Sequence, residues 1–275
     1  MTHSYTNNHK TVLGIGGALN HDASVSLIRG NEILFAAHSE RYSKIKNDPL
    51  LNSEILEDAF QYGTPDVIAW YENPFLKKAR QLWAGQYSTA FDMSELPSKY
   101  LKQFPELNGI PIEYQSHHYT HAASGYHTSG FVNAAVVVID SIGEWETLTI
   151  WQGSGGKLSK VYSQGYPHSF GLFYSAMTQR LGLKAQEDEY ILMGMAAYGD
   201  SRRFFKEIVD EFILVEGIGY SPETYFKHNL HRGCLWWKPE LTSEQDLFDI
   251  AAGTQAVYEY LLKNIIAWCV RNIPS

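Results

Sequence analysis

The sequence predicts an α/β chain in which one structural unit is used twice. An apolar strand that runs into a polar, acid-bearing loop occurs near residue 11 and again near residue 134. Each is followed by two short strands joined across glycine, and then by a helix. Self-similarity of this kind marks a fold built by repetition.

The elements follow in order. Thr11-Val12-Leu13-Gly14-Ile15-Gly16-Gly17 reads as a short strand that ends in glycine. The loop after it holds His21 and Asp22. Residues 24–28 and 32–37 read as strands joined across Arg29-Gly30-Asn31, a tight-turn sequence. A helix over 52–62 and the strand Asp66-Val67-Ile68-Ala69-Trp70 come next. In the second copy, residues 135–139 are the apolar strand and Asp140-Ser141-Ile142-Gly143 its loop. Residues 146–152 and 157–163 are strands joined by Gly153-Ser154-Gly155-Gly156, and 170–181 form the closing helix. Residues 72–112, rich in aromatics and prolines, fit neither copy. They read as an insertion that either covers a cleft or adds a packing layer.

Two ribonuclease-H-like halves facing each other across a cleft make the architecture of actin, Hsp70 and the sugar kinases. The expected division is a flexible tail over 1–10, a first half over 11–133 and a second half over 134–275. In that architecture the loop after each first strand points into the cleft, and strand ends are where α/β folds place their chemistry. Asp22 and Asp140 occupy those loops; a turn or helix cap is the plainer reading of either.

The densest chemistry is in His117-His118-Tyr119-Thr120-His121-Ala122-Ala123-Ser124. His117 and His121 are four residues apart, so on a helix both rings share one face. Neutral imidazole is the commonest metal-binding side chain, and Asp140 is the candidate third ligand. A capped, solvent-facing helix start is the plainer reading of the pair taken alone. His118 is either a hydrogen-bond donor behind the site or a core residue. Lys44 and Lys46 lie in the one short basic run, as phosphate contacts or as a solvated face. Gly143 and Gly194 are places where backbone could approach a nucleotide. The aromatic pairs Tyr225-Phe226 and Trp236-Trp237 read first as core.

The net charge of −8 does not favour a broad nucleic-acid surface, which would need a local basic patch. Two cysteines, Cys234 and Cys269, lie in no metal-binding pattern. The polar start has no apolar signal core, and no apolar run is long enough to span a membrane. The expectation is a cytoplasmic chain with reduced thiols.

Six segments together carry a family resemblance. They are Val12-Leu13-Gly14-Ile15 with His21-Asp22-Ala23-Ser24, Ser39 to Asp48, the His117 to Ser124 run, Ile139-Asp140-Ser141-Ile142-Gly143-Glu144-Trp145, Glu189 to Gly199, and Asp249-Ile250-Ala251-Ala252-Gly253-Thr254-Gln255. In this order they resemble the O-carbamoyltransferases that modify nodulation factors, cephamycins and aminoglycosides. Ser141 stands where that family usually has Gly, and Ala197 where it has Pro. The resemblance implies the fold of the enzyme that threonylcarbamoylates tRNA adenosine. It also implies a carbamoyl-adenylate made from carbamoyl phosphate and ATP, transfer of the carbamoyl group to a hydroxyl, and a divalent iron on the residues matching His117 and His121.

Family members continue past the Asp249 helix into a glycine-rich nucleotide segment, a further metal-ligand Asp and a second domain. The expectation is therefore an N-terminal portion or subunit of an O-carbamoyltransferase, its second half truncated. A second chain or a C-terminal domain would be needed for ATP and carbamoyl phosphate. Asp140, His21 and Asp22 are the expected catalytic residues, and His117, His121 and Asp140 the metal ligands. A degenerate homologue acting as a binding scaffold is the rival reading.

Overall fold

The computed structural model describes residues 9–214 and 223–274, in two compact units, 1–120 and 121–275. The division falls inside one helix rather than at residue 133. Most of the tail expected over 1–10 lies outside the described residues.

The first unit is built on a five-stranded sheet. Its strands are β1 (Thr11–Gly16), β2 (Ser24–Arg29), β3 (Glu32–His38), β4 (Val67–Trp70) and β5 (Ile112–Tyr114), in the order β3-β2-β1-β4-β5. β1 is antiparallel to β2 and parallel to β4. Gly30, with φ +61°, lets the expected turn close between Arg29 and Glu32. Along β1 the pleat sends Thr11, Leu13 and Ile15 inward. A short helix, α1 (Glu40–Ser43), follows β3. In α2 (Ser53–Phe60) the Asn52 side chain caps the start by accepting from the Ile55 N–H, and Ile55, Leu56 and Ala59 are buried.

Residues 72–112 contain α3 (Pro74–Trp83), α4 (Tyr87–Phe91) and α5 (Pro97–Tyr100), followed by two 3₁₀ turns. Leu101, Phe104 and Leu107 pack into the same core as Leu13, Leu27 and Trp70. The end of the expected insertion is thus an integral layer of this unit.

Helix α6 (His117–Ser129) leads into the second unit. There β6 (Asn133–Gly143), β7 (Glu146–Ser154) and β8 (Lys157–Gly165) form an antiparallel meander in the order β6-β7-β8. Gly155 and Gly156 both have positive φ and make the two-residue turn between Ser154 and Lys157, while Gly153 remains within β7. Among the described residues no strand pairs with β6 on the side away from β7.

The helices of this unit are α7 (Phe170–Arg180), α8 (Glu189–Met195), α9 (Phe205–Phe212) and α10 (Glu244–Asn272). The two-residue strands β9 (Ile213–Leu214) and β10 (Tyr225–Phe226) pair between α9 and α10. α7 is buried nearly all round and forms the centre of the core. α10 presents Ile250, Thr254, Val257, Leu261, Ile265 and Cys269 at three- and four-residue steps, a stripe that faces the core. Phe226 and Trp237 are core residues, as expected, whereas Trp236 is exposed against Phe212 and His228. None of the helices of the described residues is long and apolar enough to cross a membrane.

Phe173 is fully buried against Phe212 and Phe226, so Phe173→Ala is expected to cost about 3–5 kcal/mol in denaturant melts. Burial pushes the Cys234 thiol up to about 12 and raises that of Cys269 as well. Neither thiol should react with iodoacetamide at pH 8 in the native protein, and both should react at once in denaturant.

Candidate metal centre

Helix α6 and strand β6 bring the candidate ligands together. Ala122 on the helix is fully buried against Val138 and Trp151 of the sheet, with Val136 beside them. On a strand, residues two apart share a face. Val136, Val138 and Asp140 therefore lie on the α6 side of β6, while Ala135, Val137 and Ile139 enter the core on the other side. His121 is the neighbour of Ala122, and His117 lies one turn earlier. A second contact sets the far end of α6. The Tyr126 ring lies over Gly153, where a Cβ would come 2.5 Å from it, and the Tyr126 hydroxyl donates to the Val132 carbonyl at 2.6 Å.

One ligand atom from each of His117, His121 and Asp140 lies within 4.8 Å of the other two. His121 is exposed, and His117 and Asp140 are half-buried. Two donors on one ion stand at most about 4.2 Å apart, twice a metal–ligand bond, so less than about 1 Å of side-chain movement closes the set. Two imidazoles and a carboxylate form a donor set that suits iron, zinc or manganese.

Asp140 is not in a loop. β6 extends to Gly143, with a register shift against β7 between Ile139 and Gly143, so Asp140 sits on a bulged strand end. One of its carboxylate oxygens, Oδ1, accepts the Ser141 N–H at 2.6 Å. His118 is completely buried, its ring 6.1 Å from that of His117. Tyr71, which the sequence did not single out, stacks edge-on against His117 at 5.7 Å. Its hydroxyl donates to the Ala18 carbonyl, and its pKa is raised by burial and then by Glu72. An aromatic at a strand end is too common a signal to have marked it.

The other expected residues are placed as follows. His21 Nδ1 and Asp22 Oδ2 are 2.9 Å apart at the surface of the first unit, and Asp22 adopts φ +55°. Lys44 ends α1 in the left-handed region and donates to the Arg41 carbonyl; it and Lys46 are exposed. Gly143 is buried at the end of β6. Gly194 is exposed and helical, near the end of α8, and a 3₁₀ turn over Ala196–Tyr198 leads on to Gly199.

Gly199 packs directly on the Phe248 carbonyl, leaving no room for a Cβ. Asp249 accepts the Asp200 N–H at 2.7 Å, Arg203 Nη1 at 2.9 Å and Gln245 Nε2 at 2.9 Å. Burial opposes its charge, but these donors hold its carboxyl below the ordinary range. The Glu189–Gly199 and Asp249–Gln255 segments thus pack against each other through Gly199.

A family model described as the carbamoyltransferase N-terminus matches residues 70–259. An uncharacterized protein of Synechocystis is 30% identical over 90% of this chain and 46% of its own length. Nodulation protein NolNO of Sinorhizobium fredii is 27% identical over 77% of this chain and 33% of its own. Nodulation protein NolO of Bradyrhizobium diazoefficiens is 34% identical over 38% of this chain and 19% of its own. The chain spans less than half the length of these relatives. With the model covering residues 70–259 of 275, the chain belongs to the carbamoyltransferase N-terminal family.

Proposed function

We propose that this chain is the N-terminal catalytic portion of an O-carbamoyltransferase of the actin-like ATPase fold. It would pass a carbamoyl group from carbamoyl phosphate, by way of carbamoyl-adenylate, to an acceptor hydroxyl. The observation that carries the proposal is the meeting of His117, His121 and Asp140 at one point in a chain of this family. The fold assignment is supported by the repeated meander. β1-β2-β3 and β6-β7-β8 are each antiparallel, and an acid, Asp22 or Asp140, stands near the end of each first strand.

His117, His121 and Asp140 would hold the metal, iron by family resemblance. When bound, the ion supplies a Lewis acid for the carbamoyl oxygen or for phosphate oxygens. The chain's own groups do the rest. Ser141 N–H holds one oxygen of Asp140 and so orients the carboxylate. The His21–Asp22 pair places an imidazole nitrogen on a carboxylate, an arrangement that can take and return a hydroxyl proton. Activation of carbamoyl phosphate with ATP is assigned to polypeptide outside these residues, whether continuous with them or a separate chain. Such polypeptide would have a strand edge to pair with in the side of β6 away from β7, on which no strand pairs among the described residues.

Purified aerobically or under nitrogen, the chain should bind close to one equivalent of ferrous iron or its substitute Co²⁺. His117→Ala and Asp140→Ala should each weaken binding at least about 100-fold with the circular dichroism spectrum unchanged. Failure of the unaltered chain to bind any divalent metal would turn the reading toward a binding scaffold. With radiolabelled carbamoyl phosphate and ATP, the 275 residues alone should transfer little or no label. Co-expression with the product of the adjacent gene, or fusion to the C-terminal part of a relative, should restore transfer. His21→Ala should then lower the rate about 100-fold or more without loss of metal.

A further inference from the structure

We infer that Ser169 and Gly171, at the start of α7, are the positioning residues for Asp140. This inference rests on the metal-centre reading above. Neither residue belongs to the ligand set, and both act on the backbone that carries the carboxylate.

Ser169 is almost fully buried, and its hydroxyl works in two directions. As an acceptor it caps α7, taking the Leu172 N–H at 3.0 Å. Its single proton goes the other way, to the Ser141 carbonyl at 2.7 Å, with the Asp140 carbonyl at 3.1 Å. A cap alone needs only the acceptor. The donor half ties α7 to the bulged end of β6, where the register against β7 shifts between Ile139 and Gly143.

Gly171 makes the approach possible. A Cβ there would lie 2.6 Å from the Ser141 nitrogen, 2.7 Å from its Cα and 2.8 Å from the Asp140 carbonyl carbon. Backbone occupies all three positions, so no side-chain rotation relieves the clash. The segment before the cap is itself anchored. Thr147 Oγ1 donates to the His168 carbonyl at 2.5 Å, and Gln164 Nε2 donates to the same oxygen at 3.1 Å. The chain of contacts therefore runs from β7, through the start of α7, to the two peptide units that aim Asp140 at His121.

The variants separate this role from capping. Ser169→Thr keeps both donor and acceptor. Ser169→Asp caps a helix as well as serine does and, at a pH high enough to keep it ionised, has no proton to give. Ser169→Ala loses both, and Gly171→Ala keeps the hydroxyl but pushes the backbones apart. Ser243→Ala, which removes the cap of α10 by losing the bond from the Asp246 N–H, is the control for a cap lost elsewhere.

Co²⁺ affinity is measured by competition with a chelator, and amide hydrogen exchange is followed across 138–145. Ser169→Ala, Ser169→Asp and Gly171→Ala should weaken Co²⁺ about 10–100-fold and speed exchange in that segment. Ser169→Thr should stay near the unaltered protein. Ser243→Ala should lower the melting temperature with neither effect. If Ser169→Asp and Gly171→Ala bind Co²⁺ like the unaltered chain, the inference is overturned. If the unaltered chain binds no metal, the metal reading falls, and exchange alone decides the positioning role. Faster exchange across 138–145 in Ser169→Asp but not in Ser243→Ala upholds it, and unchanged exchange overturns it.

Discussion

The candidate site depends on how closely α6 lies on the β6-β7-β8 sheet. Ala122, with its single methyl, allows the helix to reach Val138 and Trp151, and Gly153 gives the Tyr126 ring a flat seat on β7. A larger side chain at either point would lift the helix, because packed interiors have few voids to absorb an added group. The distance between His121 and Asp140 follows from that contact. Two turns of helix and three alternate strand residues share one interface, and the polar members of each lie just beyond its apolar part.

The other side of the same sheet is held by a different device. Ala135, Val137 and Ile139 enter the large core around α7 and α10. β6 is therefore packed on both faces, and its near-continuous apolar run suits that position. The strand is fixed along the length where it pairs with β7 up to Ile139, and its register shifts before Gly143 pairs with Glu146. At that shift the start of α7 meets the backbone of Asp140 and Ser141, through the Ser169 hydroxyl and the bare face of Gly171.

Two of the segments that resemble the carbamoyltransferases, Glu189–Gly199 and Asp249–Gln255, carry structural constraints in this chain. Gly199 must be glycine because the Phe248 carbonyl occupies the space of a Cβ, and Asp249 gathers three donors in the interior. Outside those segments, Arg180 spends its guanidinium on the carbonyls of Trp237, Lys238 and Leu241, closing the segment between β10 and α10 against the core. A buried charge that makes several hydrogen bonds rigidifies its surroundings, and removing its partners is costly. Family likeness in such segments reports the scaffold that holds a site as much as the site itself.

The sequence by itself determined the α/β class, the repeated meander, nearly every strand and helix of both copies, and the pairing of His117 with His121. These depend on short periods: two residues for a strand, three or four for a helix, and a positive φ where glycine closes a turn. Asp140 was legible as a strand-end acid because those periods also place it. Tertiary structure alone decided the rest. It put Asp140 on a bulge rather than in a loop, made residues 101–107 part of the first core, turned the Gly194 segment into helix, and joined Gly199 to Asp249 across 50 positions of chain. The Ser169 proton belongs with these. Its acceptors are 28 and 29 residues away, and no local spacing encodes which carbonyl a hydroxyl will meet once the chain has folded.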